Sequence, residues 1–281
     1  MFINVAAIDQ YLLNESFAYQ NWHVHSIYKN SFNLQTEEKK ELVVVTTTDY
    51  PFLPNGIYLN RNDFFNIRAT IKMGDSLLWG KERLSFSDHH LILTHGETYT
   101  SEIEHSGEWM ESAMEYFTFY CKKLKKETGF QRSLTELIEV ENPFMHAISM
   151  LSSEQIEEQR RGVAFFLGRG PGLTTTGDDM LLGHLAAMTL LKKNSKNVKL
   201  LLHEELRATT SPTTDVSLHY LKCGIVGRFS RPVKDLMQLL VEECSQEQMK
   251  LGVEAVINFG HTSGIDLLAG FLGTVAYFRG K

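Results

Sequence analysis

Three short stretches of this chain set glycine or proline, hydroxyl and carboxylate residues at the start of apolar helical segments. That combination suits a site that holds a small anion beside groups able to move protons. The first stretch, "GRGPGLTTTGDDMLLGHLAAM" at residues 168–188, is the densest. Gly170 and Gly172 permit close backbone approach to a ligand, and Thr174, Thr175 and Thr176 add hydroxyl donors. A glycine-rich loop running into a helix presents backbone N–H groups at the positive end of the helix dipole, which is what phosphate or carboxylate binding requires. The spacing is neither GxxxxGK[ST] nor GxGxxG after a buried strand, so binding of a nucleoside triphosphate is not supported.

Asp178 and Asp179 have two readings. With Thr176 as the cap, both carboxylates favour the first helical turn, an effect of about 0.3–1 kcal/mol each. As functional groups they accept hydrogen bonds from an amide or ureido NH₂, or hold a divalent cation. One acidic residue would serve the helix, so the pair leaves both readings open.

The second stretch, "RATTSPTTDVSLHYLKCGIVGRFSR" at 207–231, has a turn at Pro212 followed by Thr213, Thr214 and Ser217 around a helix start. Such residues are also ordinary N-caps. Lys222, Arg228 and Arg231 offer charge to an anionic ligand or are solvated surface. The third stretch, "FGHTSGIDLLAGFLG" at 259–273, packs Gly260, His261, Thr262, Ser263 and Gly264 into a polar turn, with Asp266 in the first turn of the helix behind it. His261 can act as general acid or base or polarise a carbonyl, or its ring can simply close the turn. If the loop is buried, so many polar groups favour the functional reading.

Other patterns are weaker. "HVH" puts His23 and His25 on one strand face, and "DHH" at 88–90 is similar, but a third ligand at a diagnostic spacing is missing, so zinc is not expected. There is no G-x-S-x-G elbow, and Cys223 has no evident histidine partner in the sequence. The basic run "KKLKKE" at 122–127 reads as the dipole-complementing end of a helix.

The elements that must position these groups divide the chain. "WHVHSIY" alternates, "ELVVVTTTD" is β-branched, and "PFLPNGIYLN" and "LSFSDHHLILT" are apolar segments bounded by turn residues such as Pro51, Pro54, Gly56 and Gly74. From Gly107 the period becomes helical: "EWMESAMEYFTFYCKKL" places Trp109, Ala113, Tyr116, Phe117 and Tyr120 on one face. Further helices are predicted near 143–160, 177–193, 214–223, 233–244, 247–258 and 264–279. Strands followed by helices predict an α+β fold: a β-rich N-terminal domain, 1–105, packed on a mainly helical domain, 106–281, that carries the three polar motifs.

A formal charge of −6 argues against nucleic acid or an anionic membrane as primary partner. Cys121, Cys223 and Cys244 are widely spaced, without a disulfide framework or zinc ribbon, which fits a reducing cytoplasm. The N-terminal "MFINVAAIDQYLLNES" has no basic segment ahead of its apolar residues, unlike a secretory signal. "IDLLAGFLGTVAYF" at 265–278 falls short of a membrane span, which needs roughly 20 residues.

The ordered motifs "GRGPGLTTTGDDMLLG", "TTDVSLHYLKCGIVGRF" and "INFGHTSGIDLLAGFLG", with "VHSIYKNSFNL" and "LPNGIYLN" upstream, resemble the AllH family, which includes a subunit of oxamate carbamoyltransferase. The resemblance spans most of the chain. It implies reversible carbamoyl transfer in anaerobic allantoin and purine nitrogen catabolism: oxalurate and phosphate give oxamate and carbamoyl phosphate, with companion subunits as partners. From the residues themselves no cofactor is expected, apart from a divalent cation that Asp178 and Asp179 could hold. Thr175 stands where the family usually has proline, which loosens the turn without removing a proposed donor. The Ser-Thr-Arg-Thr phosphate motif of aspartate and ornithine carbamoyltransferases is absent, so the chemistry would rest on a different architecture.

On this resemblance Gly170, Gly172, Thr174, Thr176 and Gly177 are assigned to anion binding, joined by Thr213, Thr214 and Ser217. Asp178 and Asp179 face substrate NH groups or a cation, and His261 with Thr262 and Ser263 faces the reacting carbonyl, flanked by Gly260, Gly264 and Asp266. Two rival expectations remain. One is a non-catalytic binding or assembly subunit for an anionic metabolite; the other is a metal-dependent hydrolase built on the paired aspartates.

Overall fold

A computed structural model describes residues 1–280 apart from 40, 87, 104–107, 140, 141 and 208–211. The boundary expected at 105/106, the change of period at Gly107 and the 208–211 part of the second motif lie outside the described residues. The architecture is α+β, and the chain forms two compact units, residues 1–101 and 102–281.

The first unit contains strands β1 (Phe2–Asn4), β2 (Ala7–Asp9), β3 (Asn21–Ile27), β4 (Ser31–Thr36), β5 (Leu42–Thr47) and β6 (Gly56–Leu59), then helix α1 (Arg61–Thr70). Strands β7 (Ser76–Trp79), β8 (Arg83–Phe86), β9 (His89–Ile92) and β10 (Glu97–Tyr99) follow. All ten form one mixed sheet in the order β1-β9-β8-β7-β3-β4-β5-β6-β2-β10. The β-branched β5 is buried at every position because it lies between β4 and β6. β1 and β2 adjoin in sequence, but β1 begins the strand order and β2 stands next to its other end. Between them Val5 N–H donates to the Ile92 carbonyl and Ala6 N–H to the Tyr58 carbonyl, so two consecutive residues tie both ends together. The sheet therefore curls on itself, a shape that leaves little unpaired edge.

Helix α1 was not foreseen: only Phe64 and Ile67 of its ten residues are buried, too faint a periodic signal to read. The histidine pairs sit in local hydrogen bonds, His25 Nδ1 with Ser26 Oγ at 3.0 Å, His89 Nε2 with Thr70 Oγ1 at 3.0 Å and His90 Nδ1 with Ser85 Oγ at 2.9 Å.

The second unit is helical: α2 (Glu111–Lys123), α3 (Leu134–Glu139), α4 (Pro143–Leu151), α5 (Ile156–Phe166), α6 (Thr176–Leu190), α7 (Lys196–Glu205), α8 (Asp215–Ile225), α9 (Arg231–Val241), α10 (Gln246–Ile257) and α11 (Ser263–Arg279). The single helix predicted over 143–160 is two, broken between Leu151 and Ile156, where Gln155 serves as the cap of α5. The buried face of α2 centres on Ala113, Met114, Phe117 and Cys121, about a residue round from the predicted face, with Tyr116 and Tyr120 half-buried beside it.

Helices α6 and α11 are buried almost throughout, and they run parallel. A Cβ on Gly183 would strike the Leu267 carbonyl and one on Gly270 the Met180 carbonyl, so the two backbones touch there. One turn further along, His184 Nδ1 lies 2.9 Å from Thr274 Oγ1, and burial pulls that imidazole down to about 3, leaving it neutral. Helix α8 runs the same way: its start meets Thr175 through Ser217, and its Gly224 lies against Leu182 and Leu185. Three helix N-termini thus gather at one end of the unit. Among the described residues no helix is long and apolar enough to cross a membrane.

Candidate functional site

The three polar motifs are the three gathered N-termini. Positive φ at Gly170 (100°) and Gly172 (115°) turns the first loop into α6, a backbone state that glycine adopts without Cβ strain. The cap of α6 is Thr175 rather than Thr176: its side chain accepts from Asp178 N–H, and the helix begins one residue earlier than the pattern indicated. Thr175 N–H donates to Ser217 Oγ at 3.1 Å, and the Thr214 hydroxyl, which caps α8, donates to the Leu173 carbonyl. The second motif therefore braces the first.

Asp178 belongs to that brace. Gly168 N–H donates to its Oδ1 at 2.8 Å, while the hydroxyls of Thr175 (2.7 Å) and Thr213 donate to its Oδ2. Its side chain is buried and its lone pairs are taken up within the protein. Ser217, also buried, has the same bracing role, and Gly177 and Gly264 serve close packing against the backbones of Phe166 and Val256.

Asp179, one residue on, points elsewhere. Thr174 Oγ1 lies 2.9 Å from Asp179 Oδ2 and 2.7 Å from Ser263 Oγ, linking the first and third motifs across 89 positions of sequence. Burial pushes the Asp179 carboxyl well above the ordinary range, against the pull of the Thr174 hydroxyl, and the nearby Asp266 adds to the rise. Burial therefore favours the protonated form of Asp179. Asp178 and Asp179 occupy separate hydrogen-bond networks, and among the described residues there is no group of three or more His, Cys, Asp or Glu arranged to hold a metal ion.

Asp266 is fully buried, and Gly129 N–H donates to its Oδ1 at 2.8 Å. Its Oδ2 and the neighbouring Thr176 Oγ1 are both buried without a hydrogen-bond partner; they sense each other electrostatically but stand outside bonding geometry. Burial raises Asp266 to about 6, opposed by the Gly129 N–H, the Thr262 and Thr176 hydroxyls and the charge of Lys126. A carboxyl raised on folding keeps its proton longer in the folded chain than in the unfolded one, so stability falls as pH rises from about 4 to about 6. The loss is on the order of 3 kcal/mol. Asp266→Asn should remove this component: its amide oxygen still accepts from Gly129, and its NH₂ can donate to Thr176. Urea unfolding should show Asp266→Asn more stable than the parent at pH 8 and level with it near pH 4; equal stability at both pH values would contradict the assignment.

A pocket of about 980 Å³ opens beside these groups, walled by Gly172, Leu173 and Thr174 on one side and by Gly260 to Ser263 on another. The turn from Lys126 to Gln131 forms the rest. Gly260 and His261 are exposed at this pocket rather than buried, so the expectation of a buried loop gives way to one of a solvated rim. Thr262 and Ser263 are half-buried below them.

Sequence reasoning missed the 126–131 wall. "KKLKKE" reads correctly for Lys122 and Lys123, which end α2, but Lys126 lies beyond the helix and lines the pocket. The signal available was a further Thr-Gly pair, Thr128-Gly129, just after the basic run. Lys222, Arg228 and Arg231 are not among the described residues that line the pocket; Arg231 pairs with Asp235 on the surface of α9 at 3.7 Å. Cys223 does have a histidine neighbour, one helical turn away: His219 Nδ1 lies 3.9 Å from its Sγ, with both side chains buried. The i, i+4 spacing held that signal.

Residues 4–99 match the family model described as the AllH family N-terminal domain, and residues 166–275 match the model described as oxamate carbamoyltransferase subunit AllH. The second match spans all three gathered helix starts. No solved structure matches the chain. With both family models matched in order over most of its length, the chain belongs to the AllH family.

Proposed function

We propose that this chain forms the carbamoyl-transfer site of a multi-subunit carbamoyltransferase, converting oxalurate and phosphate into oxamate and carbamoyl phosphate in the anaerobic catabolism of allantoin and purine nitrogen. The family's description as an oxamate carbamoyltransferase subunit supports the reaction class and the presence of companion subunits. The observation that carries the site assignment is the run Asp179–Thr174–Ser263, which brings two motifs to one pocket wall.

In this reaction a phosphate oxygen attacks the ureido carbonyl carbon of oxalurate. The bond from that carbon to the oxamate nitrogen breaks, and the proton carried by phosphate ends on that nitrogen. The exposed loop at Gly170 and Gly172 receives phosphate on its backbone N–H groups, whereas the amides of Thr175, Gly177, Asp178 and Asp179 at the start of α6 donate within the protein. Thr174 O–H donates to Asp179 Oδ2 and bonds to Ser263 Oγ, which holds the Ser263 hydroxyl on the pocket wall. There it stabilises the oxygen on which charge develops during attack. His261 stands at the rim, within reach of the departing nitrogen as the group that relays its proton. On this reading the aspartate pair holds a proton rather than a divalent cation.

The test is carbamoyl phosphate formation from oxalurate and phosphate by the chain reconstituted with its companion subunits. Turnover is expected. Tight binding of oxamate and phosphate without turnover in the assembly would give the chain a non-catalytic binding role instead.

A further inference from the structure

The pocket wall facing the hydroxyls carries a cation that the reaction scheme above leaves unused. We propose that Lys126 anchors the carboxylate of the substrate, fixing the orientation of a small 2-oxo acid amide in the pocket that the glycine loop also lines. The inference rests on the carbamoyl-transfer reading for the identity of the substrate, but its geometry is independent of it.

Lys126 is half-buried, and its Nζ donates to the Ile257 carbonyl, the last residue of α10, at 2.6 Å. That bond holds the ammonium in place and leaves two of its three N–H groups for a ligand. A lysine on a helix-terminal carbonyl would on its own be ordinary dipole compensation. What sets Lys126 apart is its position: among the described residues it is the sole lysine or arginine lining the pocket, and Thr262 and Ser263 at the start of α11 line the same space.

The turn that carries it is held at several points. Thr128 N–H and its hydroxyl both donate to the Arg132 carbonyl at 2.9 Å, Glu127 pairs with Ser133 in a short antiparallel bridge, and Gly129 N–H is held by Asp266. A Cβ on Gly129 would collide with Thr176 Oγ1, so the turn sits flush on the start of α6. An ammonium on a wall tied this way gives directional recognition at low ordering cost.

The charges nearby select among anions. Glu127 lines the pocket beside Lys126, and Asp266 lies within the field of the same ammonium. One lysine among carboxylates balances a monoanion, whereas a phosphate dianion placed there would be repelled. The carboxylate is thus directed to Lys126 and the phosphate to the amides of the glycine loop, which line the same pocket.

Calorimetric titration of the full chain with oxamate and, separately, with inorganic phosphate tests this. Lys126→Met should weaken oxamate at least about tenfold, equal to about 1.4 kcal/mol, while changing phosphate affinity by less than about threefold. Lys126→Gln, which still offers a donor to the Ile257 carbonyl, should show the same selective loss, and Lys126→Arg should restore oxamate to within about threefold of the parent. Unchanged oxamate affinity in folded Lys126→Met or Lys126→Gln overturns the proposal, as does an equal or greater loss of phosphate, or no oxamate binding by the parent chain. An oxamate affinity sensitive to Lys126 in an assembly that does not turn over oxalurate removes the carbamoyl-transfer reading and keeps the anchor; turnover with an insensitive oxamate affinity does the reverse.

Discussion

Gly270→Ala is expected to destabilise the chain by about 3 kcal/mol or more, although alanine in place of glycine inside a helix ordinarily stabilises by roughly 0.5–1 kcal/mol. The sign reverses because the added methyl has nowhere to go. At Gly270 it meets the Met180 carbonyl, and at the facing Gly183 it meets the Leu267 carbonyl, so the obstacle at each is backbone of a buried helix rather than a side chain that can swing away. Relief requires α6 and α11 to separate, which opens the core along their length and parts His184 from Thr274. Gly183→Ala should behave alike. Gly280→Ala is the control, since its Cβ would meet the Ala276 carbonyl at 3.5 Å, an ordinary contact, and its effect should stay within about 0.5 kcal/mol. Urea denaturation of the three variants decides the matter. A stabilised Gly270→Ala would mean that α6 and α11 do not touch through their backbones.

The same close crossing explains what could and could not be read beforehand. Each polar motif announced a helix start because caps, glycines and first-turn carboxylates are local features: a threonine precedes each helix, Thr214 and Thr262 at two of them and Thr175, where Thr176 was expected, at the third. That the three starts meet is a consequence of the parallel arrangement, set by contacts such as Gly183 with Leu267, which no local pattern encodes. The division of labour between adjacent aspartates was likewise hidden. Successive helical residues point about 100° apart, so Asp178 turns toward Gly168 and Thr213 while Asp179 turns toward Thr174. The wall at 126–131 was missed for the opposite reason: its basic run has an adequate local explanation at Lys122 and Lys123, and only the fold carries Lys126 past the helix end to the pocket. In the first unit the strands were legible as β-branched runs, but their order was not, because β1 begins it and β2, joined to β1 through residues 5 and 6, stands next to its other end.

Thr174→Val and Ser263→Ala are each expected to lower kcat/KM for oxalurate with phosphate by about 10²–10³-fold, the range seen when one donor to a developing oxyanion is removed. The double variant should lose little more than either alone. Both hydroxyls belong to one chain of donors, so cutting it at Thr174 or at Ser263 removes the same O–H from the pocket, and groups that act as a unit are not additive. Asp179→Asn separates this account from its rivals. The part of Asp179 is to hold the Thr174 hydroxyl, and the amide oxygen of an asparagine accepts from it at the same position; the variant should retain activity to within about tenfold. A general base, or a carboxylate holding a divalent cation, would instead be abolished by the same change. Stability gives the internal check: a neutral side chain that loses one hydrogen-bond partner costs about 1 kcal/mol, so Thr174→Val should unfold close to the parent while its turnover collapses. Additive losses in the double variant, or an inactive Asp179→Asn that is fully folded, would show that Asp179 does not position Ser263 through Thr174. The pocket would then have to find its oxyanion donor in the amides at the start of α11.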